Sequence, residues 1–526
     1  MTSLQKKSIL PFSFLCAVPL IMVLGNSMLI PILPQMKQAL NISQLEVGLV
    51  ITLFSVPAGL TIPLAGLLSD RLNRKWIIAG ALTIYAVGGL IAGLSAIFLK
   101  TNAYLPIMVG RVLQGIGAAG TAPISMALAS DIFTSNERSK VLGMLESSNG
   151  LGKVASPILG SIIGLIAWWA VFFVFPILCI PIALGMLFVV KEPQDKKEPQ
   201  PFKQYFKDIK TIFKNKGVSL VSAFFAGTVV LFVLFGVLFY LSDHLESKYK
   251  IEGVLKGLIL AIPVLAMAIT SYITGSVTQK KANSHKPLVV VGTGILAVAM
   301  VVVPFFSENT YIMVAALVFA GIGTGLVLPC LNTMITSSCN ADERGMITAL
   351  YNGVRFFGVA AGPPLFGVLM EKSVLWTFLV PAILAALAGV VNFFFCHEDV
   401  LTRKPEEGKD QEARGYQQEQ QEQNQKQIMS KQVLQKLMLT AKIQTQPSFR
   451  PAQEVKDEVV KKVIKRLQPK LQSVLKEELK KELEELKKEV TGEIEKSIRE
   501  AVTINIEEVR NDNDKEVKED NRNGKS

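Results

Sequence analysis

Twelve apolar stretches dominate the first 400 residues of this chain, at roughly 8–33, 44–69, 76–99, 104–130, 138–165, 167–190, 217–242, 254–279, 287–306, 310–338, 344–370 and 374–396. An α-helix needs about 20 residues to cross a hydrocarbon core about 30 Å thick, and each stretch meets that length. The first 400 residues do not alternate polar and apolar positions as a soluble chain would, so the pattern predicts bilayer-spanning helices. The first stretch runs on to Pro34 without a small-residue cleavage site, which predicts a retained span in place of a signal peptide. The predicted fold class is therefore an all-α polytopic membrane protein with twelve transmembrane helices, followed by a helical or disordered cytoplasmic tail.

The spans repeat. Sliding the chain against itself by 206 residues lays GIGAAGTAP (115–123) on GIGTGLVLP (321–329), and Glu137 and Arg138 on Glu343 and Arg344. The same offset lays Gly152 on Gly358, Pro157 on Pro363 and Pro57 on Pro263. One offset holding across spans 2, 4 and 5 predicts two six-helix halves in the same orientation, residues 1–190 and 217–397. The lysine-rich segment 191–216 would be the cytoplasmic linker between them. Parallel repeats about an axis along the membrane normal place a substrate site near the midplane, between the halves.

Beyond the last span the pattern changes. Residues 398–452 are polar and include the Gln-rich run GYQQEQQEQNQKQ, which cannot form a core and predicts a disordered linker. Residues 453–510 predict a charged amphipathic helix. Its apolar positions, from Val455 to Val502, recur about every 3.9 residues, above the 3.5 of a left-handed coiled coil, and Pro469 should kink or break it. A solvated helix with charge pairs, self-association (a coiled coil among its forms) and docking on a cytoplasmic partner all remain open for this segment. Residues 511–526 are expected to be disordered.

Charge orients the bundle. Basic residues collect in alternate loops: Arg71, Arg74 and Lys75; Arg138 and Lys140; eight lysines from Lys191 to Lys216; Lys280, Lys281 and Lys286; and Arg344. By the positive-inside rule both termini are expected in the cytoplasm. Residues 398–526 carry 27 Lys and Arg against 27 Asp and Glu, so the net charge of +12 belongs to the span-bearing part. The basic balance is a topology signal and requires no nucleic-acid partner. Five scattered cysteines suggest neither a disulfide framework nor a metal site. Three histidines at span ends, with no nucleophile-base group and no phosphate-cradling loop, point away from an enzyme and from any cofactor.

The loop after span 2 reads GLLSDRLNRK (66–75), span 4 carries GRVLQGIGAAG (110–120), and span 5 carries GKVASPILGSIIG (152–164). With these motifs the chain resembles the major facilitator superfamily, and span 5 is similar to the motif of its twelve-span drug:proton antiporter branch. Two departures stand out: Asn73 where the loop pattern usually has Gly, and Ser156-Pro157 where span 5 usually has Gly-Pro. The second copy, GPPLFG (362–367), keeps Gly362 and Pro363. The resemblance implies a conformational latch at Asp70, Arg71 and Arg74, with Arg344 as partner. It links Arg111 to proton coupling and makes Gly152, Pro157, Gly160, Gly362 and Pro363 a helix-bend motif. ESSNGLGKVASPILG also resembles exporters of Gram-positive bacteria, including one for a catecholate siderophore.

Charges inside lipid-length helices are costly and mark functional positions. Counting about 1.5 Å per residue, Glu146 lies about 10 Å from the cytoplasmic face and Lys153 about 21 Å, while Arg111 lies about 10 Å from the outer one. Arg355 falls near the midplane. Three buried cations then face one buried acid, Glu146. Two readings stay open: mutual neutralisation of Glu146 and Lys153, or a proton-binding carboxylate at Glu146 beside cations that meet the substrate. On the second reading Asn26, Gln114, Asn149, Lys153 and Arg355 bind substrate, and Glu146 with Arg111 couples protons. The expected function is proton-driven export of small amphiphilic compounds from a bacterial plasma membrane. Its alternatives are export of one anionic metabolite such as a siderophore, or a membrane sensor or scaffold signalling through the tail.

Overall fold

The computed structural model describes residues 3–69, 71–133, 135–192, 202–278, 284–339 and 341–401. The expectations for the tail beyond Leu401 lie outside these residues. Among the described residues, helical segments stand at each of the twelve expected spans. In the first half they are span 1 (Ser3–Ser27, continued by Leu33–Leu40), span 2 (Gln44–Ser69), span 3 (Arg74–Phe98), span 4 (Tyr104–Ala119, continued by Ala122–Ile132), span 5 (Ser135–Gly164) and span 6 (Ala170–Phe188). In the second half they are span 7 (Phe202–Tyr249), span 8 (Gly253–Thr278), span 9 (His285–Val302), span 10 (Thr310–Ser337), span 11 (Ala341–Lys372) and span 12 (Val374–Phe395).

Eleven of these segments are long and apolar enough to cross a membrane. Span 5, at 30 residues, is long enough, but Glu146, Asn149 and Lys153 dilute its apolar character. The polar span is the one with the most chemistry.

Packing reproduces the repeat. Spans 3 and 4, 3 and 6, 2 and 4, 1 and 5, and 1 and 6 pack in the first half; spans 9 and 10, 9 and 12, 8 and 10, 7 and 11, and 7 and 12 pack in the second. The halves meet chiefly through span 2 against span 11 and span 5 against span 8, contacts that the repeat exchanges. Gly160 packs on the Met28 carbonyl of span 1, and Gly362 lies against Phe232 and Gly236 of span 7; a Cβ at either would enter backbone. Pro157 and Pro363 lie in spans 5 and 11 beside crossings between the halves: Gly257 faces Pro157 and Ile158, and Gly48 faces Pro363 and Pro364. Gly152 lies against Leu20 and Val23 of span 1. The end carrying Arg71, Arg74 and Lys75 is called the basic end below, and the other the far end.

Two boundaries differ from expectation. The linker placed at 191–216 is helical from Phe202 onward, as the start of a 48-residue helix that includes span 7. Apolar residues at Phe202, Phe206, Ile209 and Phe213 keep a helical period, so lysines can lie outward while Ile212 is buried and Phe213 packs edge-on against Phe224. Lys216 ties this helix to the Ser338 carbonyl at the end of span 10, at 2.5 Å. At the other boundary, Glu398–Leu401 forms a short helix that belongs to the bundle, although the sequence pattern ends it at 397.

Candidate functional site

Span 5 sorts its residues by face. A helix turns about 100° per residue, so residues two apart point to nearly opposite sides. Met144, Leu151 and Ile162 form an exposed apolar face of the kind that meets lipid. Ser148 and Gly152 face span 1, where the Ser148 hydroxyl donates to the Cys16 carbonyl at 2.7 Å. Pro157, Ile158 and Ser161 face Gly257 of span 8. Glu146, Asn149 and Lys153 occupy the remaining side, between spans 1 and 8 and away from the lipid face. Glu146 is exposed.

Lys153 is half-buried and lies within electrostatic reach of both Glu146, two turns away, and Arg355 on span 11 of the other half. Neither cation is within ion-pair distance of a carboxylate among the described residues. The Arg355 guanidinium sits over the Tyr351 ring at 5.2 Å, and its Nε is buried without a hydrogen-bond partner. Asn149 Oδ1 is likewise buried and unpartnered. Buried polar groups normally find partners. Spans 5 and 11, one from each half, thus carry unsatisfied polar groups and two cations within electrostatic reach of each other.

Arg111 is elsewhere. Fully buried, it donates from Nε to the Val50 carbonyl at 3.0 Å and from one terminal nitrogen to the Gly25 carbonyl at 3.0 Å and Gln114 Oε1 at 2.8 Å. Its other terminal nitrogen donates to Asn26 Oδ1 at 2.5 Å, and its plane lies 4.5 Å from the Phe54 ring centre. Asn26 passes the network on to Ser55 at 2.8 Å. Among the described residues, its hydrogen-bond partners are all neutral. Equal depth in sequence therefore does not bring Arg111 beside Lys153: Arg111 faces spans 1 and 2, whereas Lys153 faces span 11. Gln114 and Asn26 are buried in the same knot.

At the basic end, Asp70 and the side chain of Arg344 lie outside the described residues. Arg71 sits half-buried in the turn. Arg74 pairs with Asp131 at the end of span 4, inside its own half. The start of span 3 is held by a residue that the sequence motifs did not suggest: Glu192 accepts the backbone N–H groups of Arg74 and Lys75 at 2.9 and 3.2 Å. Its counterpart 206 residues on, Glu398, accepts those of His285 and Lys286, both at 3.0 Å, and the His285 ring at 2.8 Å. The repeat offset carried this signal, since it lays Glu192 on Glu398. A second missed pair, Glu246 with Lys256, is buried at the far end.

With two six-helix halves, the cations of spans 5 and 11 and these motifs in place, comparison with known proteins decides the family. Residues 15–356 and 244–445 match the Major Facilitator Superfamily. The chain belongs to the Major Facilitator Superfamily. This facilitator is 41% identical over 398 residues to a Bacillus subtilis (strain 168) protein named bacillibactin exporter, covering 75% of this chain and 98% of that protein. It is 25% identical to multidrug resistance protein 2 of the same organism, over 68% of this chain and 88% of that one. Among solved structures, it shares its fold with an inward-facing, occupied bacterial homologue of the human lysosomal transporter Spinster, at TM-score 0.62 and 16% identity over 75% of this chain and 98% of that one. A D-xylose-proton symporter gives TM-score 0.62 at 13% identity, over 74% and 99% of the two chains. This facilitator is a membrane transporter, and the family and its named relatives are transporters in turn.

Proposed function

We propose that this protein exports small anionic or phenolate-bearing amphiphiles, a siderophore being the specific candidate, in exchange for protons entering the cell. The observation that carries this reading is that Lys153 and Arg355, from the two halves, lie within electrostatic reach of each other, with the unpartnered Asn149 on the same span as Lys153 and Glu146 as the acid near Lys153 among the described residues. Two cations without paired carboxylates favour an anion that neutralises both, and binding it draws the halves onto one ligand. The bacillibactin exporter relative supports a siderophore, and the multidrug relatives support export over import.

Glu146 supplies the proton step. Exchange requires proton and substrate to occupy the site in turn. Glu146 takes a proton while the empty site faces outward and gives it up to the cytoplasm, where Lys153 within electrostatic reach favours the carboxylate, before substrate binds and the halves rock back. Under this reading the loop charges support cytoplasmic termini, and the Bacillus subtilis relatives support a bacterial plasma membrane. In the same frame Arg111 with Asn26 and Gln114 holds spans 1, 2 and 4 together and touches neither substrate nor proton.

Transport into inside-out vesicles tests the substrate class. An iron-free catecholate siderophore should accumulate when the lumen is acid and stop when a proton ionophore is added. Accumulation of a lipophilic cation such as ethidium, with none of the catecholate, would overturn the anionic reading.

A further inference from the structure

At the far end, span 7 and span 8 carry a buried ion pair. Lys256 Nζ lies 2.6 Å from Glu246 Oε2, and the two side chains are 1% and 4% exposed. The same ammonium donates to the Pro31 carbonyl at 2.6 Å, and Pro31 belongs to the other half. One turn before Glu246, the Ser242 hydroxyl donates to the Ile30 carbonyl at 2.8 Å. Both acceptors lie in a 3-10 turn, Ile30–Ile32, that interrupts span 1. Pro34 explains the opening: it lacks the N–H that would continue the α-helical ladder to Ile30, so that carbonyl keeps room for a donor from outside.

We propose that Glu246 and Lys256 form the lock that holds the far end closed, with the Pro31 and Ile30 carbonyls as its receiver on the opposite half. An isolated ammonium is too costly to bury, so Lys256 can reach Pro31 only while Glu246 goes with it as counter-charge. Asp243 on span 7 and Glu252 in the turn to span 8 are the other charges within electrostatic reach of Lys256, whereas the first half offers it backbone carbonyl. Beside the lock, Gly257 lets span 8 approach Pro157 and Ile158 of span 5. Opening this end must pull Lys256 from Pro31 and wet the pair. The lock thus sets the balance between the two orientations of the transporter. It needs only alternating access and stands whatever the substrate proves to be.

Hydrogen exchange of the full chain in lipid nanodiscs tests it. Glu246→Gln and Lys256→Gln each leave a buried charge uncompensated, so exchange at residues 28–36 and 242–258 should rise by about tenfold or more. The double variant Glu246→Gln/Lys256→Gln can still hydrogen-bond to Pro31 and should recover most of the protection. Protection unchanged in the single variants would overturn the lock. So would loosening that spreads equally to the basic-end turn at 71–76, because the pair would then hold the fold together without governing one end. A double variant as loose as the singles would contradict the role of charge completion.

Discussion

Glu192 and Glu398 stand 206 residues apart and perform the same task, each carboxylate spanning the first two N–H groups of the third helix in its half. Helix starts leave N–H groups without partners, and the helix dipole favours an anion there. Each acid lies just past the sixth helix of its half, so each fastens the chain's exit from one half to that half's third helix.

Glu192→Gln and Glu398→Gln should each destabilise the protein by about 1 kcal/mol, the usual scale of a lost cap. The loss should be local: faster exchange at 74–77 for the first variant and at 285–288 for the second. Equal loosening of both sites by either variant would contradict independent clamps.

The same geometry sets where the tail can be cut. A chain ending at Leu401 should retain transport and thermal stability, because Glu398 is kept. A chain ending at His397 should melt at lower temperature, measured by retention of a monodisperse size-exclusion peak after heating. Loss of transport on cutting after Leu401 would favour a signalling role for the tail.

Arg111 should behave as a structural residue. Lysine cannot supply the forked donors that reach Val50, Gly25, Gln114 and Asn26 together. Arg111→Lys should therefore lose about 2 kcal/mol or more through buried acceptors left unsatisfied. Thermal stability measured beside substrate affinity in the folded fraction separates the roles: KM should stay unchanged while the melting point falls.

Much of the fold was legible because a span announces itself over about 20 residues. Doubling showed because small residues and prolines recur where helices must approach, as at Pro157 and Pro363. Glu146, Lys153 and Arg355 were legible as expensive charges. Partner choice was not. Arg74 meets Asp131, 57 residues along the chain, and Arg111 meets carbonyls on spans 1 and 2, neither of which local spacing can reveal. Glu246 and Lys256 sit in a mixed-charge stretch at a span boundary, where a charge ordinarily finds water. Here they are buried against each other, with Lys256 also on the Pro31 carbonyl. Glu46, also at a span end, proved the ordinary case: it closes a capping box with Ser43, at 2.8 and 3.2 Å.

Lys153→Gln and Arg355→Gln should each raise KM for an anionic substrate by about tenfold, the loss expected from one charge-assisted contact, and move transport of neutral compounds little. Equal losses for anionic and neutral compounds would assign these cations to structure.

The most direct measurement compares gradient-driven accumulation with substrate exchange in proteoliposomes for Glu146→Gln. With no titrating carboxylate, accumulation against a gradient should vanish while exchange of internal for external substrate continues. Full proton-driven accumulation by Glu146→Gln would contradict the account, because the carboxylate facing Lys153 would then carry no proton in the cycle.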